Sequence, residues 1–181
     1  MDDHARRDYD AVAAQIGRPP RSVVEVSARC HLDLPVVSSV PPILDDGTPF
    51  PTMYWVGCPL AVRRISRIEA TGGIVEAESL LAADPELAAR HEAAMGRYQS
   101  ERDSLVPVDY TGPRPRGGVA GTTGRGLKCL HAHYADHAAG NDNPVGAWVA
   151  AAIEPLDCVT PCVVVADAGV ASNPDWREPV R

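Results

Sequence analysis

Between Gly117 and Gly140 the chain reads GGVAGTTGRGLKCLHAHYADHAAG, so Lys128, Cys129, His131, His133 and His137 follow directly on a glycine-rich run. Thiolate and imidazole are the donors that hold zinc, and their atoms must converge within about 2.0–2.3 Å of the ion. Cys129, His133 and His137 recur every four residues. On a helix they line one face, with neighbours roughly 6 Å apart. If the segment starts extended, Cys129, His131 and His133 share a face instead. Cys58, Cys30 or His91 is then the candidate for a further ligand. The cofactor expected on these donors is zinc, for structure or for hydrolytic chemistry. The competing expectation is a set of core residues, because cysteine is among the most buried residue types.

The glycines that lead into this cluster suggest a second chemistry. Backbone N–H groups at a helix start, together with the positive end of its dipole, receive anions. Between Tyr110 and Ala135 there are four basic residues, Arg114, Arg116, Arg125 and Lys128, and no acid. Gly124, Arg125, Gly126 and Lys128 are therefore the expected pocket for a small anionic ligand, a phosphate, a carboxylate or a nucleotide, beside the metal site. The run is not a P-loop, since Leu127 stands where that motif has its lysine.

Cys58 ends the apolar stretch MYWVG and precedes Pro59, the position of a first helical residue. A helix N-terminus lowers a thiol pKa, which makes Cys58 a candidate nucleophile or ligand. Cys58 and Arg64 match the Cys-x5-Arg spacing of cysteine phosphatases, but CPLAVRR has no glycine to wrap amides around phosphate. Cys158 and Cys162, separated by three residues, fit neither a thioredoxin pair nor a zinc knuckle and read as structural.

These residues need elements to position them. A helix is expected over Asp3–Ile16, strands in SVVEVSARC and MYWVG, and an extended, proline-interrupted segment in LPVVSSVPPIL. A helix from Pro59 to about Thr71 closes at Gly72-Gly73, and Asp84-Pro85 caps another that runs to about Ser104. A long Pro/Gly loop then delivers the chain to the histidine-rich helix, expected to begin near Gly126. Asn143-Pro144 opens a helix to Ile153, CVVVA is a short strand, and residues 167–181 read as a loose tail. The pattern is α+β: a single helix-rich domain over residues 1–166 with a small sheet of short strands, without βαβ alternation.

Composition sets the outer bounds. The 181 residues are enough to bury a core without a structural metal. A net charge of −7 argues against nucleic acid as a partner. No apolar run approaches the length of a membrane span or a signal peptide, so the expected location is the cytoplasm, with five reduced cysteines.

The stretches DDGTPFPTMYWVGCPLAVRRISRIEATGG, GVAGTTGRGLKCLHAHYA and NPVGAWV resemble the bacterial family catalogued as domain of unknown function 501, common in actinobacteria. The resemblance runs from about Cys30 to Val149. It implies that Cys58, Pro59, Lys128, Cys129, His131 and His133 are signature positions; His137 is not securely one of them, so Cys129, His131 and His133 acting with Cys58 become the expected ligand set. Members of this family are often encoded beside enolase, a septum-formation initiator and an exopolyphosphatase-like enzyme, a context that assigns no activity. Two functions follow as expectations. One is a zinc-binding domain, a metal-assisted hydrolase acting on a phosphorylated or nucleotide-type ligand. The other is a non-catalytic interaction module of the division or envelope machinery, with a protein partner and a structural Cys/His core.

Overall fold

The computed structural model describes residues 2–23, 25–124, 126–166 and 169–180. The first helix, α1 (Asp3–Ile16), starts where the Asp2 carboxylate accepts the Ala5 N–H at 2.8 Å and stops at Gly17, whose φ is +72°. β1 (Glu25–Arg29), β2 (Pro35–Ser39) and β3 (Tyr54–Val56) form an antiparallel sheet in that order, with Val37 opposite Val56. Both valines are buried and face the core, while Trp55 on the same strand is partly exposed, as the two-residue period of a strand requires.

Four helices follow: α2 (Pro59–Ala70), α3 (Gly73–Ala83), α4 (Pro85–Ser104) and, after the loop, α5 (Leu130–Ala138). A helix over Gly73–Ala83 is not among the elements expected from the sequence. Thr71 is the C-cap of α2, and Gly72, at φ +94°, is the N-cap of α3, so Gly72-Gly73 is a corner between two helices. The Asp84 carboxylate caps α4 through Glu86 and Leu87, and the Asn143 amide caps α6 (Pro144–Ile153) through Gly146. Leu60, Ile65, Leu130, Tyr134, Val149 and Ile153, from α2, α5 and α6, form the centre of the main core. Helices α5 and α6 approach so closely that a Cβ on Gly146 would collide with the His133 carbonyl and the His137 Cβ.

The architecture is α+β, with six α-helices and two small antiparallel sheets among the described residues. The second sheet departs from the expected loose tail. β4 (Val163–Ala166) pairs with β5 (Gly169–Ser172), and β5 lies on α1, where the Ser172 hydroxyl donates to the Ala14 carbonyl at 2.8 Å. Beyond it the Glu178 carboxylate pairs with Arg67 and the Trp176 ring lies under Arg63, 4.7 Å from its guanidinium carbon. A polar composition concealed this docking, because the contacts run to residues more than a hundred positions away.

The long loop before α5 is also held. Arg102, fully buried, donates through Nη1 to the Gly117 carbonyl at 2.5 Å and pairs with Asp103. Lys128 Nζ donates to the Gly121 carbonyl at 2.9 Å. No helix among the described residues is long and apolar enough to cross a membrane.

Candidate metal centre

The helix that carries the histidines begins at Leu130, and Cys129 is its N-cap, with extended backbone angles of φ −156° and ψ 114°. This one residue decides the donor geometry. Cys129 is not one helical turn before His133; it stands outside the helix, beside His131. Among the described residues one group of three potential metal donors gathers, with ligand atoms of Glu69, Cys129 and His131 all within 4.8 Å of one another.

Glu69 was not among the residues singled out in the sequence. It is the one acid on α2, in the last turn, and 60 residues separate it from Cys129. Its Oε1 accepts the Leu130 N–H at 2.6 Å, capping α5, and its Oε2 lies 3.3 Å from His131 Nδ1. The other ring nitrogen of His131, Nε2, lies 3.3 Å from the Val62 carbonyl and 3.3 Å from the Ser66 hydroxyl. A carbonyl accepts only, so a ring with its hydrogen on Nε2 donates it to Val62 and presents Nδ1 as a lone pair beside the Glu69 carboxylate. The neutral ring with its hydrogen on Nδ1 donates instead to Glu69 and accepts from the Ser66 hydroxyl at Nε2, and the protonated ring donates to Glu69 and Val62 together. Burial on its own favours the uncharged ring. The hydrogen bond to Cys129 and the charges of Glu69 and Cys129 outweigh it and raise the His131 pKa above its ordinary 6.5.

Cys129 and His131 open onto a cavity of about 610 Å³, also lined by Thr52, Tyr54, Trp55 and Pro59. The FPT-YW-CP stretch and the KCLHAH stretch, 70 residues apart in the chain, thus meet in one space. Arg63 brings a cation to the same wall.

Cys58 is elsewhere. It does precede the first residue of α2, but it is 5% exposed and packs in the main core. Burial pushes its thiol up to about 12, overriding the neighbouring Leu60 and Ala61 amides that act the other way. The expected low-pKa thiol is corrected here: desolvation outweighs the helix N-terminus. Arg64 does not serve a phosphate loop either, since its guanidinium donates to the Ile153 and Pro155 carbonyls and pairs with Asp157.

His133 and His137 do not join Cys129. His133 points into the protein, fully buried, with Nδ1 3.2 Å from the Asn143 amide. Burial lowers its pKa to about 4. His137 lies at the far end of α5, its Cβ against Gly146. Among the described residues neither Cys129, His133 and His137 nor Cys129, His131 and His133 with Cys58 come together as expected; Cys129 and His131 gather with Glu69, because an N-cap leaves the helical period.

The expected anion pocket is altered for a related reason. The first amide of α5 and one in the loop before it already have anions: Glu69 takes Leu130 N–H, and Glu78 Oε1 takes Leu127 N–H at 2.9 Å. Gly124 and Gly126 line a different cavity, of about 900 Å³, together with Glu78, Glu92 and His91. Arg125 lies outside the described residues. Cys158 and Cys162 accept hydrogen bonds from Trp176 Nε1 and Gln15 Nε2, each at 3.4 Å, and all five cysteines are free thiols.

No curated protein and no solved structure shows significant similarity to this chain. The family model described as protein of unknown function (DUF501) matches residues 26–151, which hold Glu69, Cys129, His131 and the first-sheet wall of the cavity, and the chain belongs to that family.

Proposed function

We propose that Glu69, Cys129 and His131 bind a transition metal, zinc by its donor set, and that the metal serves hydrolysis of a small anionic ligand held in the adjoining cavity. The observation that carries this reading is the convergence of three donor atoms within 4.8 Å at the wall of a cavity of about 610 Å³. A carboxylate, a thiolate and an imidazole form a three-ligand set that leaves a zinc ion one open position. When bound there, zinc supplies an activated water and a Lewis acid.

The protein's own residues supply the rest. The Val62 carbonyl holds the His131 ring by its Nε2–H, the outer-shell contact that orients a metal-binding imidazole. Leu130 N–H holds Glu69. Tyr54 and Trp55 give the cavity aromatic walls, and Arg63 offers a guanidinium to an anionic group of the ligand.

The test is metal analysis of protein purified without a histidine tag, followed by cobalt substitution. One equivalent of metal, a thiolate-to-cobalt charge-transfer band, and loss of both in Cys129→Ser support the reading. Substoichiometric metal that is indifferent to Cys129→Ser refutes it. A cobalt spectrum unchanged by phosphate, carboxylate and nucleotide probes would remove the open position and the hydrolytic role.

A further inference from the structure

The outer face of the first sheet carries a second cavity. Val37 and Val56 turn into the main core, so their strand neighbours Ser38 and Trp55, paired across β2 and β3, turn to the opposite side. There they line one space with Val12 and Ile16, a turn apart on α1, and with Leu44 and Phe50 from the segment between β2 and β3. The Phe50 ring stacks on Trp55, with centroids 5.7 Å apart and planes inclined by 29°. The cavity adjoins the one beside the metal centre, sharing Ile16, Trp55 and Gly57 with it, but neither Cys129 nor His131 lines it. Its volume is about 100 Å³. An apolar cavity on the order of 150 Å³ takes up benzene, so this one matches a single small ring whose substituents reach the mouth.

Two kinds of polar group interrupt the apolar lining. Ser38 is 3% exposed, and its hydroxyl makes no hydrogen bond to any described residue. A buried hydroxyl in that condition costs free energy that a ligand atom recovers by bonding to it. The other buried serine of the lining, Ser22, is committed, since its Oγ accepts the Asp45 N–H at 3.0 Å. Ser38 thus holds out a hydrogen bond inside the cavity, on the side where Trp55 gives an aromatic wall.

The second kind is cationic. Arg18 and Arg21 line the cavity, and no acid is among the described residues that do. Asp46 pairs with Arg21. Arg18 has no carboxylate among the described residues, and its guanidinium donates only to the Pro19 carbonyl, at 3.3 Å. The backbone fixes where Arg18 stands, because its N–H closes the end of α1 on the Ala13 carbonyl at 3.1 Å and two prolines follow. Arg18 is exposed and Ser38 is buried, so the charge lies at the mouth and the hydroxyl within. A guanidinium meets a planar carboxylate with two parallel N–H···O bonds.

We propose that this cavity binds a small hydroxylated aromatic carboxylate, with its ring against Trp55 and Phe50, its hydroxyl on Ser38 and its carboxylate on Arg18. The site does not rest on metal at Glu69, Cys129 and His131.

Full-length protein is titrated with benzoate, its hydroxyl derivatives and uncharged benzamide, and binding is read by ligand-observed NMR. EDTA is present throughout, so that no carboxylate is held by a metal elsewhere. The expected result is that benzoate binds, that at least one hydroxybenzoate binds more tightly, and that benzamide binds about ten-fold more weakly than benzoate, the scale of a lost charge-assisted pair. Arg18→Gln, at an exposed position, lowers benzoate affinity about ten-fold and leaves benzamide unchanged. Ser38→Ala removes the advantage of the hydroxyl derivative and keeps benzoate binding. Absence of binding by all the acids, benzamide bound as tightly as benzoate, unchanged benzoate affinity in Arg18→Gln, or a hydroxyl advantage that is missing in the wild type or survives in Ser38→Ala overturns the proposal.

Discussion

Lowering the pH from 7 to 5 destabilises this protein through His133, and the amount follows from its burial. The ring is fully enclosed, and its pKa falls from 6.5 to about 4, chiefly because burial penalises the imidazolium, with His91 adding to the effect and the Asn143 hydrogen bond opposing it. The folded pKa is depressed, so below pH 6.5 the unfolded chain takes up a proton that the folded chain refuses. Stability is therefore complete above about pH 6.5 and is lost as pH falls toward 4. The full displacement from 6.5 to about 4 corresponds to about 3 kcal/mol, of which about 2 kcal/mol is lost by pH 5. His91, also lowered by burial, acts in the same direction. His131 acts oppositely, since its raised pKa contributes stability below pH 6.5 that is lost as pH rises. Asp136, hydrogen-bonded to Asn143 and Arg97, is raised by burial and affects the acid end of the range. The assay removes these other groups by difference: urea unfolding at pH 7, 6 and 5 for the wild type and for His133→Gln. The variant is expected to lose about 2 kcal/mol less between pH 7 and 5 than the wild type does. Equal pH slopes in the two proteins, or a His133 pKa above 6 by NMR, refute the reasoning.

Three more outcomes follow from the packing. Gly146→Ala costs about 1–3 kcal/mol in urea unfolding, despite a helix-propensity gain of ~1 kcal/mol, because its Cβ meets the His133 carbonyl and pushes α6 from α5; an unchanged midpoint would show that the helices separate freely. Iodoacetamide at pH 8, read by peptide mass spectrometry, modifies Cys129 on the cavity and spares Cys58, whose thiol burial pushes up to about 12. Labelling of Cys58 in folded protein at the same rate contradicts that burial. Trp176→Ala releases the segment after β5 by removing its contacts with Arg63 and Cys158. The change costs about 0.5–2 kcal/mol and exposes residues 173–180 to limited proteolysis, whereas resistance equal to wild type would mean that Arg67 and Glu178 hold the segment alone.

The boundaries of α1, α4 and α6 were legible in the residues because their signals are local. Asp2, Asp84 and Asn143 reach amides two or three positions ahead, and Pro85 and Pro144 take the first helical place. The strand MYWVG and the α+β class were legible for the same reason, through the period of the apolar residues. What the residues left open were choices that depend on distant partners. Cys129 became an N-cap because Glu69, 60 positions earlier, takes the first free amide of α5. That placement joined Cys129 to His131 and sent His133 inward, two residues on and across the helix, against His91. Cys58 stood at a helix start, as its neighbour proline indicated, yet only the packing of α2 against α5 and α6 decided that it is dry. Local sequence sets where a helix begins; which of its side chains meet water, a carboxylate or another ring is set by surfaces that come together only in the folded chain.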